Sequence, residues 1–554
     1  MSIMHCDIGL AACGQTQLHL KPLGFLSSSS CRQLGGHRRL GQRTAFLAGP
    51  ASPRLVLNRL ICRCQSSNGS TSTKESRIST SDIKVERLRK WLKSLNHDDC
   101  NLKLKRCAQE SSGSGYGAFA GPGGVAKGSV IVKVPRKALM TDETARQCQD
   151  IGPLVKKGNL SPWQAMCLHL LYERARGEAS FWYPYIAVLP TELELIGTHP
   201  MLWPQKMRQE WLEGSPMLEV TEGRLAICRE DHEAILLAGA EKLVPGEHGS
   251  EPISITETAV QWAATMLLSR SFSLNLQNQK KRARSFVEET VALVPWADML
   301  NHSSAAGRES CLVYDPRSGV ATLQAHCTYS EGQQVFDSYG PNCSPSKLLL
   351  DYGFVDEENT KYAVDLPASV LGPVNSIANE LLLEAVGLPL DGAVFSLTSA
   401  GVDESVMAWT RAVVATRQEL YDAGWREGVR ERAAGYPSAA TVMFRFSRPI
   451  SRDNEDEVLR RLQATCDYLL QKYPTTYEED VDMLATPGAK AIPWGRKQAM
   501  RALMSEKLAL KATQQNIQRT LNKLRSGWER GSDANDQSSS CNCNESGFGQ
   551  AQVW

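Results

Sequence analysis

The stretch LVPWADMLNHSS, Leu293 to Ser304, decides the fold of this chain. It begins as an apolar run typical of a buried strand and ends in the polar pair Asn301 and His302. Tyr339 follows in QVFDSYGPN, where a second short strand runs into a glycine turn. Irregular, glycine-relieved backbone is typical of ligand sites. The two segments are therefore candidates for part of a ligand site.

The composition predicts a globular chain with more than one domain. The chain has 554 residues, of which 42% are hydrophobic and 22% charged, and its net charge is +2. This length suggests about two to four domains. No apolar stretch approaches the roughly 18 residues of a membrane helix. We therefore expect no membrane anchor, and the near-neutral charge gives no reason to expect nucleic acid as a partner.

The basic residues are concentrated at the N-terminus. Residues 1–65 carry eight Lys/Arg and a single acid, Asp7, and are rich in Ser. An Arg- and Ser-rich, acid-poor start is typical of organelle transit peptides. The sequence ICRC, Ile61 to Cys64, resembles a plastid processing site. We therefore expect a transit peptide over residues 1–65 and a location in the plastid stroma, with a mitochondrial peptide or a disordered basic arm as alternatives.

The sixteen cysteines give no sign of a metal site. Five lie within residues 1–65, two lie near the C-terminus and nine are scattered through the body of the chain. No CxxC pair occurs, so neither a zinc site nor a dithiol redox motif is indicated. The pattern predicts reduced thiols, mostly buried, and no metal.

Periodicity and turn signals predict the order of the secondary structure. A Ser/Thr-rich linker is followed by glycine turns with a strand, a helical stretch, short strands and a second helical stretch: 66–80, 113–135, 141–270, 286–340 and 375–530. Ser161 is predicted as the N-cap of a helix with Pro162 at its first position. Thr476 and Glu479 have the spacing of a capping box.

Three segments together resemble the SET-domain protein methyltransferases of the Rubisco large-subunit methyltransferase class. They are GYGAFA, VPWADMLNHS and EGQQVFDSYGPNCSPSKLLLDYGF, at residues 115–120, 294–303 and 331–354. SFWYPYIAVLP, Ser180 to Pro190, resembles the aromatic end of the helical insert of that class. LLQKYPTTYEEDVDML resembles its helical C-terminal domain. The similarity covers roughly residues 85–515.

The resemblance implies an α+β fold. A SET domain of small β-sheets, with a pseudoknot where the Asn-His stretch meets the segment after Tyr339, would carry a helical insert. An all-α substrate-binding domain would follow it. The expected limits are 81–370 for the SET domain, about 150–265 for its insert, 371–530 for the helical domain and 531–554 for a disordered tail.

The resemblance also implies the roles of individual residues. Tyr339 is expected to be the catalytic tyrosine. Contacts to the co-substrate S-adenosyl-L-methionine (AdoMet) are expected from Gly115, Tyr116, Gly117, Arg270, Asn301 and His302. The fork of Arg270 suits the carboxylate of AdoMet. Contacts to the protein substrate are expected from Asp298, Tyr314 and Tyr352.

Methyl transfer from a sulfonium to a lysine makes specific demands on a protein. The amine must lie in line with the methyl carbon, and it must be neutral although its ordinary pKa is about 10.4. A dry, apolar channel lowers that pKa, and a tyrosine hydroxyl can orient the amine. The resemblance thus predicts a protein-lysine N-methyltransferase that acts on a stromal enzyme such as the Rubisco large subunit or aldolase.

Two other functions stay open. The related actin-histidine branch methylates histidine, but it lacks the tyrosine of DYGF, so Tyr352 favours lysine. A non-catalytic scaffold with a SET fold is the alternative from another class. The presence of Tyr339, Asn301, His302 and Arg270 argues against that scaffold.

The sequence departs from the pattern of the class at three places. Ser114 precedes the glycine turn where close relatives often have an acid. YGPN replaces the commoner segment after the catalytic tyrosine. A zinc-binding cysteine cluster after the SET domain is absent, because Cys541 and Cys543 lie far beyond Phe354. The last departure argues against a histone-specific enzyme.

Overall fold

The structure, a computed structural model, describes residues 80–96, 100–107, 115–245, 252–276, 290–309, 312–340, 342–388, 393–426 and 437–532. The expected transit peptide, nearly all of the linker, Ser114 and the tail beyond residue 532 lie outside the described residues. Within the described part, no helix is both long and apolar enough to cross a membrane.

Thirteen described strands form four small sheets. In chain order they are β1 Leu102–Arg106, β2 Tyr116–Ala120, β3 Val130–Pro135, β4 Met140–Thr141, β5 Ser271–Leu274, β6 Thr290–Leu293, β7 Asn301–His302, β8 Val313–Asp315, β9 Val320–Gln324, β10 Gln334–Asp337, β11 Ala363–Pro367, β12 Val394–Thr398 and β13 Gly401–Val402. The sheet orders are β1-β2-β10-β7, β3-β9-β8, β4-β6-β5 and β11-β12-β13.

Among the described residues, one α-helix precedes the first strand, and the others lie in an insert between β4 and β5 or in the C-terminal part of the chain. In chain order they are α1 Thr80–Ser94, α2 Asp142–Gln147, α3 Gly152–Lys157, α4 Pro162–Ala175, α5 Tyr183–Ile186, α6 Glu192–Ile196, α7 Gln205–Trp211, α8 Pro216–Leu237, α9 Glu257–Arg270, α10 Pro345–Tyr352, α11 Ile377–Ala385, α12 Glu404–Val414, α13 Arg417–Asp422, α14 Ala439–Arg445, α15 Arg452–Lys472, α16 Tyr477–Ala485 and α17 Trp494–Ser532.

The predicted helix starts are confirmed. The Ser161 hydroxyl accepts the backbone N–H of Gln164, whose side chain accepts the N–H of Ser161, and Pro162 opens α4. Thr476 and Glu479 form the same reciprocal box at the start of α16. Each box satisfies N–H groups that the first helical turn leaves without partners.

Two hydrophobic cores pack these elements. The first extends from Leu88 of α1 through the insert to Val335 of β10. The second joins the C-terminal helices to Trp203, Leu212 and Leu349. Because Leu349 belongs to α10, the helix that ends in Tyr352 packs mainly with the second core, whereas Tyr339 follows a strand of the first.

The α+β fold class is confirmed, with one difference in the C-terminal region. This region is helical as expected, but it also contains β12 and β13, so it is not strictly all-α. In β12 the buried Phe395 and Leu397 alternate with more exposed neighbours and pack in the second core. A period of two places both side chains on one face of a strand. Pairing with β11 completes the backbone hydrogen bonds.

Candidate active site

One four-stranded sheet brings the three sequence motifs together. Strand β10 pairs in parallel with β7, where Phe336 lies opposite Asn301 and Asp337 opposite His302. On its other edge β10 pairs antiparallel with β2, the strand of the glycine turn. A strand paired with two others that are far away in sequence holds them in one register. The crossing therefore places Asn-His, the glycine turn and the start of the Tyr339 turn side by side.

Tyr339 is joined directly to the Asn-His segment. Its backbone N–H donates to Nδ1 of His302 at 3.1 Å, and its hydroxyl donates to the carbonyl oxygen of Leu300 at 2.9 Å. The centroids of the two rings are 5.2 Å apart. The expected catalytic tyrosine and the expected cofactor-binding pair thus lie in one cluster.

The hydrogen bonds of His302 define its protonation state. Nδ1 accepts from Tyr339, so the ring proton lies on Nε2 and points to the hydroxyl of Ser304 at 3.3 Å. Burial lowers the pKa of His302 to about 4. The imidazole is neutral at pH 7, as the acceptor role of Nδ1 requires.

Acid is expected to destabilise the protein through His302. The unfolded histidine takes up a proton near pH 6.5 and the folded one only near pH 4. The ring therefore contributes no pH dependence above pH 6.5, and stability is lost as the pH falls from 6.5 towards 4. At pH 5 the loss is about 2 kcal/mol for one such histidine.

Urea unfolding at pH 7 and pH 5 measures this loss. The variant His302→Gln cannot take up the proton, so its stability is expected to fall less between the two pH values than that of the wild type. An equal fall in both proteins would show that other groups account for the acid sensitivity.

Three aromatic rings surround the expected reaction centre. The ring of Tyr339 lies 4.4 Å from that of Tyr352 and 6.1 Å from that of Phe354, measured between centroids. Burial raises the pKa of both tyrosines, so both phenols stay neutral across the physiological range. The cluster combines an apolar wall, which disfavours a charged amine, with phenolic oxygens that can orient a neutral one.

The glycine turn approaches the Asn-His segment closely at Gly117. A Cβ at this position would lie 2.6 Å from Nε2 of Gln334, 2.7 Å from Sγ of Cys107 and 3.0 Å from Nδ2 of Asn301. The side-chain amides of Asn301 and Gln334 both donate to Sγ of Cys107, at 3.5 Å and 3.7 Å respectively. The side chain of Asn301, an expected AdoMet contact, therefore occupies part of the space beside Gly117.

Gly117→Val is expected to destabilise the protein by about 1–3 kcal/mol, because the added carbons enter a filled space. It is also expected to lower AdoMet affinity at least about tenfold by displacing Asn301. Gly115→Ala is the matched control for stability, since no atom lies within 4 Å of its Cβ position. Thermal unfolding and equilibrium dialysis with AdoMet measure both effects. Equal stability of the two variants would contradict the packing argument.

Arg270, which is partly buried, and the buried Asp298 form an ion pair beside the cluster. Nη1 of Arg270 donates to Oδ2 of Asp298 at 3.2 Å and to its carbonyl oxygen at 3.1 Å, and the hydroxyl of Tyr185 donates to the same Oδ2 at 2.9 Å. Burial raises the pKa of Asp298, and the positive charge of Arg270 opposes that rise. The net effect is a pKa of Asp298 above its ordinary value.

Two atoms of this pair have no hydrogen-bond partner among the described residues. They are Nε of Arg270, a donor, and Oδ1 of Asp298, an acceptor, and both are buried. Buried polar atoms normally have partners. A zwitterionic amino-acid group would supply a carboxylate to the first and an ammonium group to the second. The methionine end of AdoMet has this chemistry, so these residues fit the co-substrate.

A cavity of about 280 Å³ adjoins the ion pair. Gly115, Tyr116 and Arg270 line it, as do Arg174 and Trp262 of the insert region. The guanidinium of Arg174 lies 4.0 Å from the ring centroid of Trp262. Tyr339 and His302 are not among the lining residues, but Arg270, which lines the cavity, interacts electrostatically with Tyr339 and so connects the cavity to the aromatic cluster.

Tyr314 is the one expected site residue that the structure does not bring into this arrangement. It lies in the β8–β9 hairpin, which belongs to the sheet β3-β9-β8. Its hydroxyl is 3.8 Å from the position of a Cβ at Gly319 in the same hairpin. Its assignment as a substrate contact stays a prediction.

Tyr185 and Cys107 are among the side chains of the site to which the sequence assigned no role. Tyr185, from the segment SFWYPYIAVLP, donates to Asp298, and Cys107 receives the amides of Asn301 and Gln334. Tyr185 lies in a segment that the resemblance identified, but the sequence did not indicate its partner. The role of Cys107 had no signal in the sequence, because a lone free cysteine usually behaves as a small apolar residue.

A family model and several relatives resemble this chain. Residues 380–510 match the family model described as Rubisco LSMT substrate-binding. The chloroplastic ribulose-1,5-bisphosphate carboxylase/oxygenase large subunit N-methyltransferase of Pisum sativum is 25% identical over 374 residues, 65% of this chain and 68% of that protein. The chloroplastic fructose-bisphosphate aldolase-lysine N-methyltransferase of Arabidopsis thaliana is also 25% identical, over 375 residues, 65% of this chain and 69% of that protein.

A third relative has a different acceptor. The actin-histidine N-methyltransferase of Mus musculus is 25% identical over 499 residues, 83% of this chain and 76% of that protein.

Solved structures show the same fold. The SET domain of LSMT bound to lysine and AdoHcy superposes with a TM-score of 0.63 at 21% identity, covering 81% of this chain and 94% of that one. Rubisco LSMT bound to AdoMet superposes with a TM-score of 0.62 at 20% identity, covering 82% of this chain and 97% of that one. The SET fold and the resemblance to the Rubisco large-subunit methyltransferase class are thereby confirmed.

Proposed function

We propose, from the SET fold of this chain and its likeness to the Rubisco large-subunit methyltransferase class, that it is an AdoMet-dependent protein N-methyltransferase whose acceptor is lysine. The observation that carries the proposal is the crossing of β7 and β10, which joins Tyr339 to the Asn-His segment. AdoMet supplies the methyl group from its sulfonium.

The residues of the site divide the work of binding. Arg270 would hold the carboxylate of AdoMet through its free Nε, and Asp298 would accept its ammonium group. Asn301 and His302 would bind AdoMet from the strand that pairs with β10, where the side chain of Asn301 lies beside Gly117 of the glycine turn. Holding both reactants in a near-attack geometry can contribute about 7–11 kcal/mol to the rate enhancement.

The aromatic cluster would handle the acceptor nitrogen. A lysine that enters beside Tyr339, Tyr352 and Phe354 leaves water, which favours its neutral form. Its lone pair then attacks the methyl carbon, the sulfonium–carbon bond breaks, and the methylated amine loses a proton. The hydroxyl of Tyr339 lies at the carbonyl of Leu300, so phenol and carbonyl would together orient the nitrogen.

Lysine is favoured over histidine by one contact. The ring of Tyr352 lies against that of Tyr339. The related actin-histidine branch lacks a tyrosine at the position of Tyr352, so its presence here favours lysine. The similarity to an actin-histidine methyltransferase covers 83% of this chain, so histidine is the second candidate acceptor.

The proposed substrate is a folded plastid enzyme. The two plant relatives are named as chloroplastic and as acting on Rubisco and on aldolase. Residues 380–510, which match a substrate-binding family, would hold such a protein outside the reaction site. The basic N-terminal 65 residues support plastid import, with the mitochondrion as the alternative.

Incubation of the full chain with methyl-labelled AdoMet tests the proposal. Purified Rubisco, aldolase and a stromal extract are offered as acceptors, and labelled protein is hydrolysed to amino acids. Methyl-lysine that disappears with Tyr339→Phe is the expected result. Methyl-histidine would overturn the choice of acceptor. AdoMet binding without labelled protein would favour the non-catalytic scaffold, and absence of AdoMet binding would refute the proposed activity.

A further inference from the structure

Helix α10 ends at Tyr352, and its last carbonyls need partners from outside the helix. The final turn of any helix leaves carbonyl oxygens without intrahelical donors. Gly353 ends the helix with φ of +81° and donates its N–H to Leu349, which satisfies one carbonyl. The carbonyls of Leu350 and Asp351, immediately before Tyr352, are accounted for by residues of the insert.

Arg224 of α8 holds the end of this helix with its fork. Nη1 donates to the carbonyl oxygen of Leu350 at 2.8 Å, and Nη2 donates to Oδ1 of Asp351 at 2.6 Å. Lys347 contributes a second ion pair to Asp351 at 3.2 Å. Burial alone would raise the pKa of Asp351, but the two cations outweigh it and lower that pKa. A cation at a helix C-terminus also complements the helix dipole.

His199 holds the next carbonyl. Its Nδ1 accepts the backbone N–H of Met201 at 3.2 Å, so Nε2 carries the proton and donates to the carbonyl oxygen of Asp351 at 3.3 Å. Burial lowers the pKa of His199 to about 4, which keeps this neutral tautomer at pH 7. A Cβ on Gly353 would lie 3.0 Å from the carbonyl oxygen of Thr198. The insert therefore encloses the turn that follows Tyr352.

These contacts set the position of one wall of the expected acceptor site. Tyr352 is the next residue after Asp351, and its ring lies 4.4 Å from that of Tyr339. Tyr339 is held separately, through His302 and Leu300. The distance between the two rings thus depends on how firmly Arg224 and His199 hold the end of α10.

We propose that Arg224 is a positioning residue that determines acceptor specificity, because it fixes Tyr352 relative to Tyr339. By acceptor specificity we mean two properties: the rate of methyl transfer to a lysine acceptor and the number of methyl groups added to it. The effect on acceptor specificity rests on the proposed methyltransferase function, whereas the claim that Arg224 fixes the position of Tyr352 does not. Loss of the fork leaves the buried carboxylate of Asp351 with Lys347 alone and releases the carbonyl of Leu350.

The test compares Arg224→Gln with Arg229→Gln on the same helix. Arg229 is half exposed, and its ion pair with Glu257 is long, at 4.0 Å, so its loss controls for a change of charge on α8. Arg224→Lys is the second variant. It keeps the positive charge, but an ammonium group cannot reproduce the fork, so it is expected to weaken the hold on Leu350 with less loss of stability.

The first readout is hydrogen exchange of residues 345–354 in the full chain. Exchange is expected to become faster in Arg224→Gln and Arg224→Lys and to stay unchanged in Arg229→Gln. Unchanged exchange in both Arg224 variants would overturn the proposal. This measurement needs no substrate, so it decides the positional claim even if the chain has no methyltransferase activity.

The second readout is catalysis by the folded fraction. The rate of methyl transfer is expected to fall about 10- to 100-fold in Arg224→Gln, because a shift of about 1 Å has that effect on an aligned reaction. The ratio of mono-, di- and trimethylated lysine at equal turnover is expected to shift, while the Kd for AdoMet stays within about twofold. A purely structural role would lower the active fraction without changing that ratio, and an unchanged ratio in both Arg224 variants would overturn the specificity claim.

Discussion

Tyr339→Phe is expected to lower the rate of methyl transfer by about 10³-fold and to leave the Kd for AdoMet almost unchanged. Removal of one preorganised hydrogen-bonding group from a reaction centre typically has an effect of about 10²- to 10³-fold. The ring stays in place against Tyr352 and His302, and the lost group is the hydroxyl at the carbonyl of Leu300. Single-turnover kinetics with labelled AdoMet measure the rate.

Stability must be followed in parallel, because this hydroxyl makes a structural hydrogen bond as well. Its loss is expected to lower the free energy of unfolding by about 1 kcal/mol. Tyr329→Phe is the matched control, since the Tyr329 hydroxyl is also bonded to the backbone: it accepts the N–H of Phe336 at 3.3 Å, in the strand that precedes Tyr339. A rate that falls equally in both variants would show that the strand, rather than the phenol of Tyr339, is needed.

Arg270→Met is expected to weaken AdoMet binding by about 10- to 100-fold. Hydrogen bonds to a charged group contribute about 1.5–3 kcal/mol, and each 1.4 kcal/mol is about tenfold in affinity. The same change is expected to lower the stability of the protein by about 3–5 kcal/mol, because the buried carboxylate of Asp298 loses its positive partner. Equilibrium dialysis and urea unfolding measure the two effects.

The double variant Arg270→Met with Asp298→Asn separates binding from stability. The neutral amide removes the uncompensated charge, so much of the stability is expected to return. AdoMet affinity is expected to stay low, because the fork for its carboxylate is still missing and the neutral amide is a weaker acceptor for its ammonium group. Recovery of AdoMet affinity in the double variant would show that Arg270 acts only as the counter-ion of Asp298 and does not contact the co-substrate.

Local patterns in the sequence predicted individual elements well. Ser161 with Gln164 and Thr476 with Glu479 form their boxes because capping depends on residues three positions apart. The sheet formed by β11, β12 and β13 escaped prediction for the opposite reason. β11 and β12 are short and far apart in sequence, so their pairing is a non-local contact that a local pattern does not contain, and β13 is only two residues long.

The motifs predicted which residues would form the site, but not how they are held. Asn301, His302, Gly117 and Tyr339 lie in segments whose combined signal is strong enough to group them from sequence alone. The acceptor role of Nδ1 in His302 and the ion pair of Arg270 with Asp298 depend on the directions of side chains in the folded state. No spacing in the chain encodes those directions.

The sequence on its own, through its resemblance to a known family, predicted the fold class, which the structure confirms, and the residues of the candidate site, because the motifs that carry the resemblance are local. The folded arrangement alone decided that Tyr185 supports Asp298, that Tyr314 lies in a separate hairpin and that Arg224 holds the helix before Tyr352. These contacts join residues far apart in sequence: Arg224 and Asp351 are 127 positions apart. Packing of the insert against α10 creates their proximity, so only three-dimensional structure reveals it.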